Sequence, residues 1–176
     1  MIAASAYMLV FRIIHILAGI AWGGAIFLMV VFLQPTAKAI GPAAGPFMRE
    51  LLGKRRLVNA MLGMAATTIV AGGFLYWRDW DARGSLGDFV GESFGAVMTV
   101  GALSAIVAFL IGLFATRPTV QRSLALAAQV AQAGDGPPPE LVQELQATQA
   151  RGRSLAIANL VFVAIAALAM STARYW

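Results

Sequence analysis

Four long apolar stretches constrain the fold of this chain more than any other feature of its sequence. They cover about residues 7–33, 57–77, 94–116 and 154–173, and each approaches the roughly 20 residues that an α-helix needs to cross a bilayer. The connections and ends are too short to hold a separate soluble domain. We therefore predict an all-α integral membrane four-helix bundle, with residues 1–176 forming a single membrane domain.

The composition agrees with a membrane protein and removes several classes of chemistry. Of the 176 residues, 60% are hydrophobic and 12% are charged, whereas a soluble domain carries about a quarter charged residues. The chain has no cysteine, which excludes disulfides, iron–sulfur clusters and thiolate metal sites. The net charge of +5 lies mostly at helix ends, so we interpret it as membrane topology and expect no nucleic-acid partner.

The first connection should contain a short helix of its own. The first span is expected to end or bend at Gln34-Pro35, because proline cannot continue the helical hydrogen-bond ladder. Residues 43–55 then predict a helix lying at the membrane interface, since Pro46 suits a first turn and Phe47 contributes to an apolar side.

The third and fourth helices should extend beyond the membrane. Helical pattern continues past Arg117-Pro118, breaks at the glycine and proline residues of 134–139, and resumes until the fourth span begins. We predict a helical hairpin over about residues 119–153, whose alanine and leucine content favours packing of its two arms. A flexible loop with helical composition is the alternative.

The basic residues predict the orientation of the bundle. The second connection contains Arg78 and Arg83 together with four acidic residues. The other two connections are richer in basic residues: Lys38, Arg49, Lys54, Arg55 and Arg56 in the first, and Arg117, Arg122, Arg151 and Arg153 in the third. By the positive-inside rule the first and third connections, including the hairpin, are cytoplasmic. Both termini should then lie outside the bacterial inner membrane.

His15, the only histidine of the chain, lies within the first span. An ionisable ring inside a membrane is costly and calls for a reason, and a ring nitrogen is a good ligand for haem iron or copper. His15 shares one helical face with Gly19, Trp22 and Gly23, because these residues fall at steps of three or four. Gly19 and Gly23 form a G-x-x-x-G pattern that lets another backbone approach closely. This face should therefore point into protein.

The depth of His15 limits its possible partners. It should lie roughly 12 Å below the outer surface, and Met98 on the third helix roughly 6 Å below it. The hydroxyl of Thr67, Thr68, Thr99 or Ser104, a methionine sulfur or a backbone carbonyl could reach the ring. Four interpretations follow: a neutral histidine that stiffens the bundle, a haem ligand opposite a methionine or the same histidine of a second subunit, a copper ligand with methionines, or a proton relay.

Missing residue types narrow these choices. One histidine cannot supply the two ligands that each haem needs in four-helix di-haem carriers. The spans contain no Asp, Glu or Lys, which disfavours a proton-driven transporter or a carboxylate-based enzyme, and we assign no catalytic residue. Asn59 and Asn159 should face each other and form an interhelical hydrogen bond.

The first helix resembles that of the CopD-like small bacterial membrane proteins. The resemblance lies in His15, in Trp22-Gly-Gly24 after six intervening residues and in Pro35 at the far end. This neighbourhood includes the copper-resistance CopD domain and, more distantly, the HemJ-type protoporphyrinogen oxidase. Resemblance to the HemJ type implies that His15 is associated with haem. The membrane lysine of that type has no counterpart, since both lysines of this chain lie in the first connection.

Two functions are therefore expected. The first is a CopD/HemJ-like membrane protein that binds haem b, or less favourably copper, through His15. The further candidate cofactor-binding residues are Trp22, Gly19, Gly23 and Met98. The second is a non-catalytic accessory or assembly subunit of a larger membrane complex, with no cofactor. In either case the lipid bilayer surrounds the protein, which should form a homo-oligomer or join a larger complex.

Overall fold

The computed structural model describes residues 2–134 and 136–176, with side chains described from residue 6 onward. Within these ranges the chain is helical almost throughout and contains no strand. The α-helices are α1 (Ile2–Leu28), α2 (Gln34–Ile40), α3 (Gly45–Met48), α4 (Leu57–Asp81), α5 (Leu86–Gly91), α6 (Ser93–Leu110), α7 (Arg117–Gln132) and α8 (Pro139–Thr172). Short 3₁₀ segments cover Gly41–Ala44 and Ala173–Tyr175, and π-helical turns cover Met29–Leu33, Arg49–Lys54 and Ile111–Thr116.

Four continuous helical runs in the described part of the chain are long and apolar enough to cross a membrane. They are Ala6–Lys54, Leu57–Asp81, Ser93–Gln132 and Pro139–Tyr175. The predicted all-α four-helix bundle is therefore confirmed. The first run continues well past the expected stop at Gln34-Pro35.

The first and third runs pass through a proline by the same local device. Just before Pro35, the N–H of Gln34 donates to the carbonyl oxygen of Met29. Just before Pro118, the N–H of Arg117 donates to the carbonyl oxygen of Gly112. Each bond spans five residues and closes a π-helical turn. The proline then occupies the first turn of the next α-helix, where its missing N–H leaves no additional gap in the ladder. Of the two outcomes expected at Gln34-Pro35, an end or a bend of the helix, the structure therefore excludes the end.

The four spans form a ring around a core of small side chains. α1 packs against α4 and α8, and α6 packs against the same two helices, so α1 and α6 lie on the bundle diagonal. Trp22 and Ile26 are the large buried members of the core, whose small members are Ala65, Ala105, Ala108 and Ala166. Small residues let helices approach closely, which provides the packing contacts that hold helices together in lipid.

The hairpin beyond the third and fourth spans consists of two ordered arms, formed by α7 and the first half of α8. Leu126 is buried in α7, and Arg122 donates a hydrogen bond to Glu144 of α8. A Cβ atom added to Gly152 would lie 3.7 Å from Cγ2 of Thr119, so the two backbones are close. The arms pack together, as their composition predicts, and a flexible loop does not describe them. Asp135, within the predicted break, lies outside the described residues.

The predicted hydrogen bond between Asn59 and Asn159 does not form. Asn159 is buried, at 6% exposure, whereas Asn59 is exposed. The inner face of α4 is marked by Ala65 and Thr68. Asn59 precedes Ala65 by six residues, which rotates it about 120° away from that face. Asn159 instead lies beside Gly112 of the third run, where a Cβ atom would come 3.5 Å from its side-chain nitrogen.

Candidate functional site

His15 bridges the first two spans through a backbone carbonyl. Its Nδ1 lies 2.8 Å from the carbonyl oxygen of Thr68 on α4. A carbonyl can only accept, so Nδ1 carries the proton, and in the neutral ring Nε2 holds a lone pair. The sequence predicted a hydroxyl, a methionine sulfur or a backbone carbonyl as the partner of His15, and the partner is a backbone carbonyl of α4.

Gly72 makes room for this contact, and Gly19 lies at ordinary van der Waals distance from Thr68. A Cβ atom on Gly72 would lie 2.7 Å from both Cε1 and Nδ1 of His15, so the ring occupies the space that any side chain at position 72 would need. A Cβ atom on Gly19 would lie 3.6 Å from Cγ2 of Thr68. The hydroxyl of Thr68 donates to the carbonyl of Met64 on its own helix. It is therefore committed, and only the main chain of Thr68 serves His15.

Nε2 of His15 has no recorded partner and is not enclosed. The fully enclosed side-chain nitrogen and oxygen atoms without a partner in the described residues are Gln34 Oε1, Thr116 Oγ1 and Asn159 Oδ1. Nε2 of His15 also has no partner but is absent from this set, so this atom is not fully enclosed. The ring as a whole is half-buried. The second ring nitrogen is therefore accessible from outside the bundle.

The other predicted site residues of α1 point to different neighbours. Trp22 is buried at 6% exposure in the bundle core. Gly23 faces α8, where a Cβ atom would come 3.3 Å from Cγ1 of Val163. Gly19 faces α4 instead. The G-x-x-x-G pattern therefore serves two helix contacts on adjacent sides of α1.

Met98 lies on α6, on the diagonal opposite α1. Helix packing brings His15 to α4 and leaves Met98 on a helix that is not its neighbour. Among the described residues, no group of three or more His, Cys, Asp or Glu side chains could hold a metal ion. One protein ligand to a cofactor is thus available at this site from a single chain.

A half-buried tyrosine, Tyr76, lies one turn beyond Gly72 on α4. Tyr76 and Thr99 approach with their hydroxyl oxygens 2.6 Å apart. The hydroxyl of Thr99 donates to the carbonyl of Gly95, so Tyr76 is the donor in the pair. The ring of Tyr76 also contacts that of Phe89 at a centroid distance of 5.0 Å. This connection joins α4 to α6 at the same end of the bundle as His15.

Sequence reasoning missed the closed structure of the loop between α4 and α6. Nε of Arg83 donates to Glu92 at 2.9 Å, and Nη1 donates to the carbonyl of Asp79 at 2.8 Å. The guanidinium lies 5.2 Å from the ring centre of Phe89 and 5.1 Å from that of Phe94. Phe89 is fully buried. The loop therefore forms an ordered cap, which we call the Arg83 cap.

One local signal for this cap was present in the sequence. Ser85 precedes α5, its hydroxyl accepts a hydrogen bond from the backbone N–H of Asp88, and Ser85-x-x-Asp88 matches a helix-capping pattern. Gly95 is required by the close approach of α6 to the carbonyl of Phe89, which a Cβ atom would overlap. The contacts of Arg83 with Asp79 and Glu92 have no local sequence signature. They form only because the loop folds back and brings these three residues together.

The fold and its apolar surface define a multi-pass helical membrane protein. The chain matches no protein-family model, no curated protein and no solved structure. The resemblance to the CopD-like type therefore depends on the sequence pattern of this chain, and most specifically on His15, Trp22-Gly-Gly24 and Pro35.

Proposed function

We propose that this protein is a CopD/HemJ-like protein of the bacterial inner membrane that binds haem b through Nε2 of His15. The observation that carries the proposal is the hydrogen bond from Nδ1 to the carbonyl of Thr68. Histidines that ligate metals usually donate their other ring N–H to a carbonyl or carboxylate, which fixes the tautomer and the ring orientation. His15 has this arrangement, and its second nitrogen is accessible.

The residues present could supply one ligand to a haem, through Nε2 of His15. Because Nε2 is not enclosed and Met98 lies across the diagonal, a second ligand would best come from His15 of a second copy of the chain. Haem b held in this way would provide one-electron chemistry near the outer side of the membrane. Gly72 and Thr68 would hold the imidazole orientation, and the Arg83 cap would close the end of the bundle above it.

Copper is the less favoured cofactor. Cu(I) prefers soft thioether and imidazole ligands, and Met8 shares the helical face of His15 seven residues away. Two turns separate these residues, roughly 10 Å along the helix, so they cannot ligate one ion together. A copper site would need methionines from another chain.

The accessory-subunit function is the second candidate, and a specific observation favours it. The Thr68 carbonyl and the space at Gly72 already account for a histidine at position 15 as a link between α1 and α4. Interhelical hydrogen bonds of this type contribute about 0.6 kcal/mol in membranes. In this case His15 has no cofactor, and the small-residue faces assemble the protein with partners.

An absorption spectrum of protein purified in mild detergent separates the two functions. With haem bound, we expect a Soret band that shifts on reduction, is lost in His15→Gly and returns when imidazole is added, because free imidazole can replace the missing ring. Met98→Leu serves as the matched control and should leave the band unchanged. If Met98→Leu abolishes the band, the ligand pair is His15 and Met98.

A colourless protein that remains colourless after haem addition would refute the haem proposal. Metal analysis of the same sample tests copper, which should fall in His15→Gly if copper is the cofactor. For the accessory function, mild extraction from native membranes should retrieve stoichiometric partner proteins. Recovery of the chain alone would contradict that second candidate.

A further inference from the structure

A polar groove lies between the two arms of the hairpin. It has a volume of about 320 Å³. Its lining residues come from α7 and α8: Thr119, Arg122, Glu144, Ala147, Thr148 and Arg151. The haem proposal uses none of these residues, so the groove is independent of it.

The groove offers a guanidinium group that is not neutralised. Arg122 pairs with Glu144, whereas Arg151 forms no ion pair with a carboxylate in the described part of the chain. The hydroxyl of Thr119 donates to the carbonyl of Ala115. Thr148 has no recorded hydrogen bond and can donate into the groove. Two guanidinium groups against one carboxylate leave a net positive site.

The groove lies where the apolar part of the bundle ends. Thr119 follows the π-helical turn Ile111–Thr116, and Arg151 precedes the apolar stretch that begins near residue 154. Phe114, at 72% exposure, and Ile157, at 44%, lie within about 10 Å along the same two helices on the apolar side. In a bilayer that covers the four apolar stretches, this level is where lipid headgroups would meet hydrocarbon.

We propose that the groove binds the phosphodiester headgroup of an anionic phospholipid. Arginine is suited to phosphate because its planar N–H groups can form two parallel charge-assisted hydrogen bonds. Basic residues next to a span also attract anionic lipids. Arg151 is the principal ligand, Thr148 adds a hydroxyl donor, and Arg122 contributes while it shares Glu144. The adjoining apolar surface selects a lipid over a soluble phosphate.

Lipid binding to the purified protein provides the test. Phosphatidylglycerol is titrated in detergent, with bound lipid counted by native mass spectrometry, and phosphatidylcholine serves as the lipid of no net charge. We expect Arg151→Gln to weaken phosphatidylglycerol binding about fivefold. Arg153→Gln is the matched control, because it removes the same charge from the same helix about 160° around its axis. It should change binding less than twofold.

Glu144→Gln gives a second variant with the opposite sign. It removes the one carboxylate of the groove and frees Arg122, so phosphatidylglycerol should bind more tightly. Helix content and gel-filtration behaviour identify any variant that fails to fold. If Arg151→Gln fails to fold, the affinity of Glu144→Gln for phosphatidylglycerol tests the proposal instead.

Three results would overturn the proposal. Equal weakening by Arg151→Gln and Arg153→Gln would assign the effect to diffuse surface charge. Glycerol phosphate or inorganic phosphate binding as tightly as phosphatidylglycerol would replace the lipid with a soluble ligand. Equal binding of phosphatidylcholine, whose phosphodiester is balanced by a choline cation, would contradict the preference for an anionic lipid.

Discussion

The imidazole of His15 and the missing side chain of Gly72 are two parts of one contact. The ring fills the volume that a methyl group at position 72 would occupy, and in that place it reaches the Thr68 carbonyl. The sequence identified His15 and its helical face because the residue is unique and the helix period is regular. It could not identify Gly72, because three glycines lie on the second run and nothing local distinguishes them.

Gly72→Ala should destabilise the protein by about 1–3 kcal/mol, because the added methyl overlaps the ring and displaces it from Thr68. Gly73→Ala is the matched control, since a Cβ atom there has nothing within 4 Å. Thermal unfolding in detergent measures both. The loss should largely disappear when Gly72→Ala is combined with His15→Ala, which removes the overlap. If the double variant is less stable than Gly72→Ala, the contact is not the cause.

At the scale of single elements, the length of the apolar stretches predicted the four spans well. Proline residues predicted the ends of the helices poorly. A stretch of 20 apolar residues has few alternatives in a membrane, whereas a proline ends a helix only if the preceding turn cannot adjust. At Pro35 a π-helical turn makes that adjustment, so the helix continues to Ile40. The Arg83 cap could not be predicted from the sequence, because its contacts join residues that only the folded chain brings together.

Arg83→Met should open the Arg83 cap. It removes two hydrogen bonds and two guanidinium–ring contacts while keeping most of the aliphatic stem. We expect faster backbone hydrogen exchange over residues 82–95 and little change elsewhere.

Arg78→Met is the control for this experiment, because Arg78 is more exposed and only approaches Asp81, at 3.9 Å. Unchanged exchange in Arg83→Met, or equal acceleration in both variants, would contradict the role assigned to Arg83.

The whole molecule consists of two helical pairs joined by the Arg83 cap. α1 packs extensively on α4 and α6 packs extensively on α8, and the small residues of the core lie where the pairs meet. The sequence predicted four spans and their order along the chain. The choice of neighbours within the ring depends on which small-residue faces meet, and hydropathy alone carries no information about that.

The predicted orientation can be measured directly because the natural chain has no cysteine. Ala82 and Gln132 are both exposed and lie at opposite ends of the bundle. A membrane-impermeant maleimide should label Ala82→Cys in intact cells, and should label Gln132→Cys only after the membrane is opened, since basic connections stay inside. The reverse pattern would invert the orientation, and labelling of both in intact cells would contradict the crossing of the membrane by the third span.

The divided G-x-x-x-G face of α1 has a consequence for the order of assembly. Gly19 meets α4, the next span to be made, but Gly23 meets α8, which is the last. While the chain is being synthesised, the first pair can form early and the side of α1 near Trp22 faces lipid or the insertion machinery. The ring closes only when α8 arrives, so a chain that stops before residue 139 leaves a tryptophan and a strip of small residues without their partner.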